Sequence, residues 1–137
     1  MLTIERVAAL HKVLMFADVP GGTLAAVARQ STEVTVEPGE PVVVEGAVED
    51  HLFVIVDGLI RVHHGDRTLT ELGPGATVGE LAALVPEPRS ASATAIERTT
   101  LLRVDKPVLD ELLADRPVLA RGIITALVTR LRERTAP

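Results

Sequence analysis

The 137-residue chain has no cysteine, no tryptophan and no tyrosine, and its only phenylalanines are Phe16 and Phe53. The missing cysteines exclude disulfides, thiolate zinc sites, cysteine-ligated iron–sulfur clusters and cysteine nucleophiles. The missing aromatics exclude base stacking on aromatic platforms and leave an aliphatic core. An excess of basic charge is also missing. Fourteen Lys and Arg stand against nineteen Asp and Glu, for a net charge of −5. A free-standing nucleic-acid binder shows the opposite balance, so no direct nucleic-acid contact is expected. The basic cluster Arg130, Arg132 and Arg134 is interrupted by Glu133 and reads as a solvated helix face. No apolar run reaches the roughly 18–20 residues that span a bilayer. The N-terminus lacks the basic start, apolar stretch and cleavage site of a signal peptide. A cytoplasmic protein, or a cytoplasmic piece of a longer one, is expected, with no membrane contact.

What is present is a folding composition, 47% apolar and 24% charged. Its length suits one domain over 1–137. Residues 3–30 read as helical, with Ile4, Val7, Ala8, Leu10, Val13 and Leu14 at helical spacing. The stretch 18–22, which ends Pro-Gly-Gly, breaks that pattern before a second short helix over 23–29. From 32 to 104 short β-branched stretches alternate with glycine turns, which indicates an antiparallel sandwich or barrel. Asp57-Gly58 and Gly65-Asp66 read as hairpin turns. Helices return over 105–134. Asp105 is placed to cap one that carries Pro107 in its first turn, and Asp115 to cap the next before Pro117. In the last helix Leu119, Ile123, Leu127 and Leu131 share a face, widened by Val118, Ile124 and Val128. A helix apolar on two sides packs on its own domain and on something else.

One interruption of the strand pattern, within 79–95, carries chemistry. Residues 79–84 (Gly-Glu-Leu-Ala-Ala-Leu) read as a short helical turn, and 89–95 as a strand. A helix start offers unpaired N–H groups and a favourable dipole to an anion. Gly79 admits close approach to the backbone. Arg89 supplies a planar cationic fork suited to phosphate oxygens, and Ser90 adds donors. Glu80 would repel a phosphate, so in such a site it must face hydroxyl donors. The ligand then carries both groups, as a sugar phosphate or nucleotide does. Each residue also has a plain structural reading: Glu80 as a first-turn acid that stabilises a helix start, Arg89 as a surface loop arginine.

Gly79-Glu80-Leu81-Ala82 followed by Pro88-Arg89-Ser90-Ala91 resembles the phosphate-binding cassette of the cyclic-nucleotide-binding domain family. The spacing of ten from Gly79 to Arg89 is similar to that of the kinase-type cassette. The turns at 37–40, 45–46 and 73–75, and the strand before Gly58, extend the resemblance over nearly the whole chain. It implies a mainly β fold with flanking α-helices: an eight-stranded antiparallel jelly-roll-like barrel with N-terminal helices and C-terminal lid helices. It implies that Glu80 binds the ribose 2′-hydroxyl, that Arg89 and Ser90 bind phosphate, and that the backbone of Gly79, Leu81 and Ala82 lines the pocket. Arg130 falls on the helix that serves the family as lid and dimer contact.

The chain departs from the family pattern in two places. Ala83 stands where leucine is commoner, and no aromatic is available to cap the base, which leaves that task to aliphatic groups, to Arg130 or Arg134, or to a partner. Ser90 in place of threonine favours cAMP over cGMP. The resulting expectation is a non-enzymatic, metal-free sensor that transmits through its last helix to a second copy or to an effector domain. The family's DNA-binding segment would follow that helix and is not seen before Pro137. A non-binding dimerisation module of the same fold is the alternative. A cupin-like metalloenzyme would need an alternating histidine pair. His63 and His64 are adjacent on a strand and point to opposite faces, while His11 and His51 are isolated. No Gly-x-Ser-x-Gly elbow or phosphate-binding Walker loop is present.

Overall fold

A computed structural model of the chain describes residues 1–79 and 87–135. The first helix, α1 (Thr3–His11), gives way to a single 3₁₀ turn, Leu14–Phe16, and then to α2 (Gly21–Gln30). The Gly-Gly pair expected to break the chain therefore forms the first turn of α2, behind Pro20 at its N-cap. Leu10, Val13 and Phe16 are buried as the periodicity requires. Ile4, in the first turn of α1, and Leu14, beyond its end, are exposed.

Ten short strands follow among the described residues, rather than eight. They are β1 (Thr32–Val36), β2 (Pro41–Val43), β3 (Val48–Glu49), β4 (His51–Asp57), β5 (Ile60–His64), β6 (Arg67–Leu72), β7 (Thr77–Val78), β8 (Glu87–Pro88), β9 (Ser92–Ala95) and β10 (Thr99–Asp105). Their antiparallel ladders do not close into a barrel there. They form one sheet in the order β1-β10-β4-β7, a second in the order β2-β9-β5-β6, and a two-stranded ribbon β3-β8. The Gly65-Asp66 turn makes the expected hairpin, with His64 opposite Arg67. Asp57-Gly58 does not. The chain there leaves the first sheet for the second, and Gly58, at φ +110°, lies against the backbone of Thr99. Strand β9 starts at Ser92, three residues later than the alternation suggested.

Strand β4 decides how the core is divided. Its apolar run has no polar alternation because both faces are covered. Leu52 and Val54 face the helices, together with Leu102 and Val104 of β10. Phe53 and Ile55 face the second sheet, together with Ile60, Ala93 and Leu101. The helical cluster contains Leu10, Phe16, Leu24, Leu109 and Leu119, all fully buried. Truncating any of these large side chains to Ala would cost about 2–5 kcal/mol.

The final helices are α3 (Lys106–Asp115) and α4 (Pro117–Thr135). Asp105 sits at the N-cap of α3 but makes no capping bond. Its carboxylate turns instead to Arg103 Nε at 3.0 Å. Asp115 is the last residue of α3, so Arg116 forms the junction with α4. Along α4, Leu119 and Ile123 are buried against the 3₁₀ turn and its neighbours, whereas Ile124 and Leu131 are exposed. Leu131 shares the face of Leu119 and Ile123 by period, yet its side chain is exposed. Gly122 explains the close approach of α4. A Cβ there would strike the Met15 carbonyl oxygen and come within 3.1 Å of its carbon.

Candidate ligand site around Arg89

The ribbon β3-β8 places Arg89. Just after β8, the Arg89 N–H donates to the Ala47 carbonyl and the Gly46 N–H donates to the Arg89 carbonyl, both at 2.9 Å. The backbone is thereby pinned, and the side chain turns inward. Arg89 is only 7% exposed, which overturns its reading as a surface loop arginine. Its Nη2 donates to the His51 carbonyl at 2.9 Å, and Nη1 makes a long 3.5 Å bond to the Gly79 carbonyl. Its Nε lies 3.5 Å from Glu49 Oε1. That contact is an ion pair without hydrogen-bond geometry, and among the described residues Nε is a buried donor with no hydrogen-bond partner. A guanidinium has five N–H donors, and two hydrogen bonds use them among the described residues.

Gly79 is required where it stands. It follows β7 at φ +83°, a region that L side chains rarely enter. A Cβ would also collide with Arg89 Nη1 and reach within 2.9 Å of Cζ. The guanidinium therefore meets the glycine edge-on, through Nη1. Ser90 is exposed beside it, and among the described residues its hydroxyl and N–H are free of hydrogen bonds. The arrangement offers a buried cation with spare donors next to an exposed hydroxyl, which suits a bound anion.

A sequence profile described as Cyclic nucleotide-binding domain matches residues 33–116. The chain belongs to the cyclic nucleotide-binding domain family. It is 31% identical over 128 residues to a "CRP-like cAMP-activated global transcriptional regulator" of Mycobacterium tuberculosis, covering 90% of this chain and 57% of the relative. It is 38% identical over 89 residues to a "cGMP-dependent protein kinase" of Toxoplasma gondii, covering 64% of this chain and 9% of the kinase. The chain thus spans little more than half of the first relative and a small part of the second. The crystal structure of the N-terminal domain of a transcriptional regulator from Streptomyces coelicolor A3(2) superposes with a TM-score of 0.81 at 30% identity, covering 92% of this chain and 91% of that one. The fold is therefore that of the cyclic nucleotide-binding regulatory domains, with its sheets and flanking helices.

Within this cyclic nucleotide-binding domain, Gly79 and Arg89 meet as the spacing suggested, and Ser90 lies beside them. Glu80, Leu81, Ala82 and Ala83, with the short helical turn assigned to them, lie outside the described residues. Arg130 belongs to α4, but its side chain also lies outside them, as does that of Arg134. Sequence reasoning missed Glu49 and His51. Glu49 spans the two: its Oε1 faces Arg89, and its Oε2 lies 3.2 Å from His51 Nε2. No motif announces a residue forty positions before the arginine it faces. Only the pairing of β3 with β8 brings them together.

The histidines are otherwise used within the fold. His63 Nδ1 donates to the Gly65 carbonyl, and its Nε2 meets the Thr94 hydroxyl, both at 2.7 Å. His64 Nδ1 pairs with Glu45 at 2.7 Å. Among the described residues no group of three or more His, Asp and Glu could hold a metal ion, and no helix is long and apolar enough to cross a membrane. A cleft of about 230 Å³ lies between the 3₁₀ turn, the loop before β7, and α4. Met15, Leu72, Thr77, Ile123 and Leu127 line it. Thr77 stands two residues before Gly79 in the chain, but Gly79, Arg89 and Ser90 are not among the residues that line the cleft.

Proposed function

We propose that this domain binds a cyclic nucleotide, cAMP in preference to cGMP, and that Arg89 holds its phosphate. The observation that carries the reading is the buried Arg89 side chain set edge-on against Gly79 with donors to spare among the described residues. A cyclic phosphodiester has one negative charge shared by two exocyclic oxygens, which a guanidinium fork matches in plane. Ser90 donates to the same phosphate through its hydroxyl and N–H. Glu80 accepts from the ribose 2′-hydroxyl, and the backbone of Gly79, Leu81 and Ala82 closes around the sugar. Preference for cAMP rests on Ser90 and on the mycobacterial relative's printed name, while the kinase relative's name points to cGMP.

The reporting element in this proposal is α4. It walls the cleft lined also by Met15 and Thr77, and its second half leaves Ile124, Val128 and Leu131 exposed. Ligand binding shifts α4 between two placements, and Arg130 approaches the nucleotide in one of them. The exposed stripe then meets a second copy or an attached effector. The domain acts as a regulator and not as an enzyme, in the cytoplasm.

Titration calorimetry with cAMP and cGMP tests this. The chain is expected to bind both, cAMP more tightly, and Arg89→Ala to weaken binding by about 2–5 kcal/mol, as truncation of a buried charge partner does. No heat with either nucleotide, or unchanged affinity in the variant, refutes the reading. The non-binding alternative predicts the first of these outcomes.

A further inference from the structure

The carboxylate facing Arg89 supplies charge to it but no hydrogen bond. Glu49 lies opposite Glu87 across the β3-β8 ladder, a like-charged pair that weakens the ribbon. A neutral residue would pair there at lower cost. Glu49 instead turns its two oxygens to Arg89 Nε and to His51 Nε2. The second contact holds the carboxylate in place, and Asp50 stands 4.0 Å from the other nitrogen of the same ring. The first contact is loose, 3.5 Å without a hydrogen bond, although the arginine side chain is only 5% exposed. A structural ion pair at that depth gains most when it is hydrogen-bonded. This one supplies countercharge without satisfying the donor.

From this geometry we infer that Glu49 is an internal competitor for Arg89, a positioning residue that sets how tightly the site takes an anionic phosphodiester. The inference rests on the reading of Arg89 as the phosphate partner. Without ligand, Glu49 neutralises the buried guanidinium and keeps it folded inward against Gly79. With ligand, the phosphate shares the cation with a carboxylate a few ångströms away, and their repulsion lowers affinity. Glu49 is 29% exposed, so water screens part of that repulsion.

The test is cAMP titration calorimetry on the full chain, comparing wild type with Glu49→Gln and Glu49→Asp at about 20 mM and about 300 mM salt. The Gln variant keeps shape and removes charge. It is expected to bind about three- to tenfold more tightly at low salt, with a smaller gain at high salt. The Asp variant restores the wild-type affinity. A change that merely damages the ribbon weakens binding, so a gain separates the two causes. If the Gln variant does not fold, Glu49→Ala takes its place with the same expectation. Binding by wild type with equal or weaker binding by the neutral variant overturns this inference alone. Absence of binding in both forms overturns the nucleotide reading, and this inference with it.

Discussion

Replacing Gly122 by alanine tests how tightly α4 is held to the domain. In a solvent-exposed helix interior the change stabilises by about 1 kcal/mol, since glycine gives up more backbone freedom than alanine on folding. Here the new Cβ meets a backbone carbonyl, that of Met15, with the Val19 Cγ2 at 3.8 Å beyond it. A carbonyl in a 3₁₀ turn cannot rotate aside as a side chain can. Met15 is 3% exposed and packed, so α4 must lift instead. Overpacking of this kind costs about 1–3 kcal/mol, and backbone contact belongs at the upper end. Subtracting the propensity gain leaves a net loss of about 1–2 kcal/mol. For a chain of this size that lowers Tm by about 3–7 °C. Urea and thermal unfolding followed by circular dichroism measure it. Gly21→Ala is the matched control: it lies in the first turn of α2, with nothing within 4 Å of its added methyl. Its expected effect is neutral to slightly stabilising. If Gly122→Ala is as stable as wild type or as the control, the close approach of α4 to the 3₁₀ turn is refuted.

Two further substitutions probe the corners of the sheets. Thr99 is fully buried, and its hydroxyl donates to the Glu97 carbonyl at 2.9 Å and accepts from the Leu59 N–H at 3.2 Å. Thr99→Val strands both groups and is expected to lower unfolding free energy by about 1–3 kcal/mol in urea titration. Gly79→Ala forces a methyl into the Arg89 guanidinium at a positive φ, and should weaken cAMP binding by at least about tenfold in calorimetry, from strain of roughly 1–2 kcal/mol plus displacement of the fork. Full affinity in that variant would mean that Arg89 and Gly79 do not touch in solution.

Much of the fold was legible because the period of the apolar residues changes twice along the chain. Val7 and Leu10 of the helical stripe, the turn at Gly65-Asp66 and the helix start at Pro117 fall where the structure has them. What was not legible depends on contacts between distant segments. Asp57-Gly58 carries the local chemistry of a hairpin, yet its strands enter different sheets, because β4 pairs with β10 and β7 instead. Asp105 has the right position for a cap, but Arg103 outbids the helix for its carboxylate. Leu131 has the right period, but its side chain is exposed. At the site, Gly79 and Arg89 were legible as a spaced pair, because one cassette holds both. The depth of the arginine was not, nor was Glu49, since β3 reaches Arg89 only through tertiary pairing.

The doubly covered β4 also says where the chain can be engineered. Any residue from Leu52 to Ile55 belongs to one core cluster or the other, so a label or insertion there damages packing whichever way it points. The Gly65-Asp66 turn is the contrary case: it is exposed, two residues long, and joins strands of the other sheet. A fluorescent reporter spliced into that turn would leave both clusters and the Arg89 site intact, and would turn the domain into a ligand gauge.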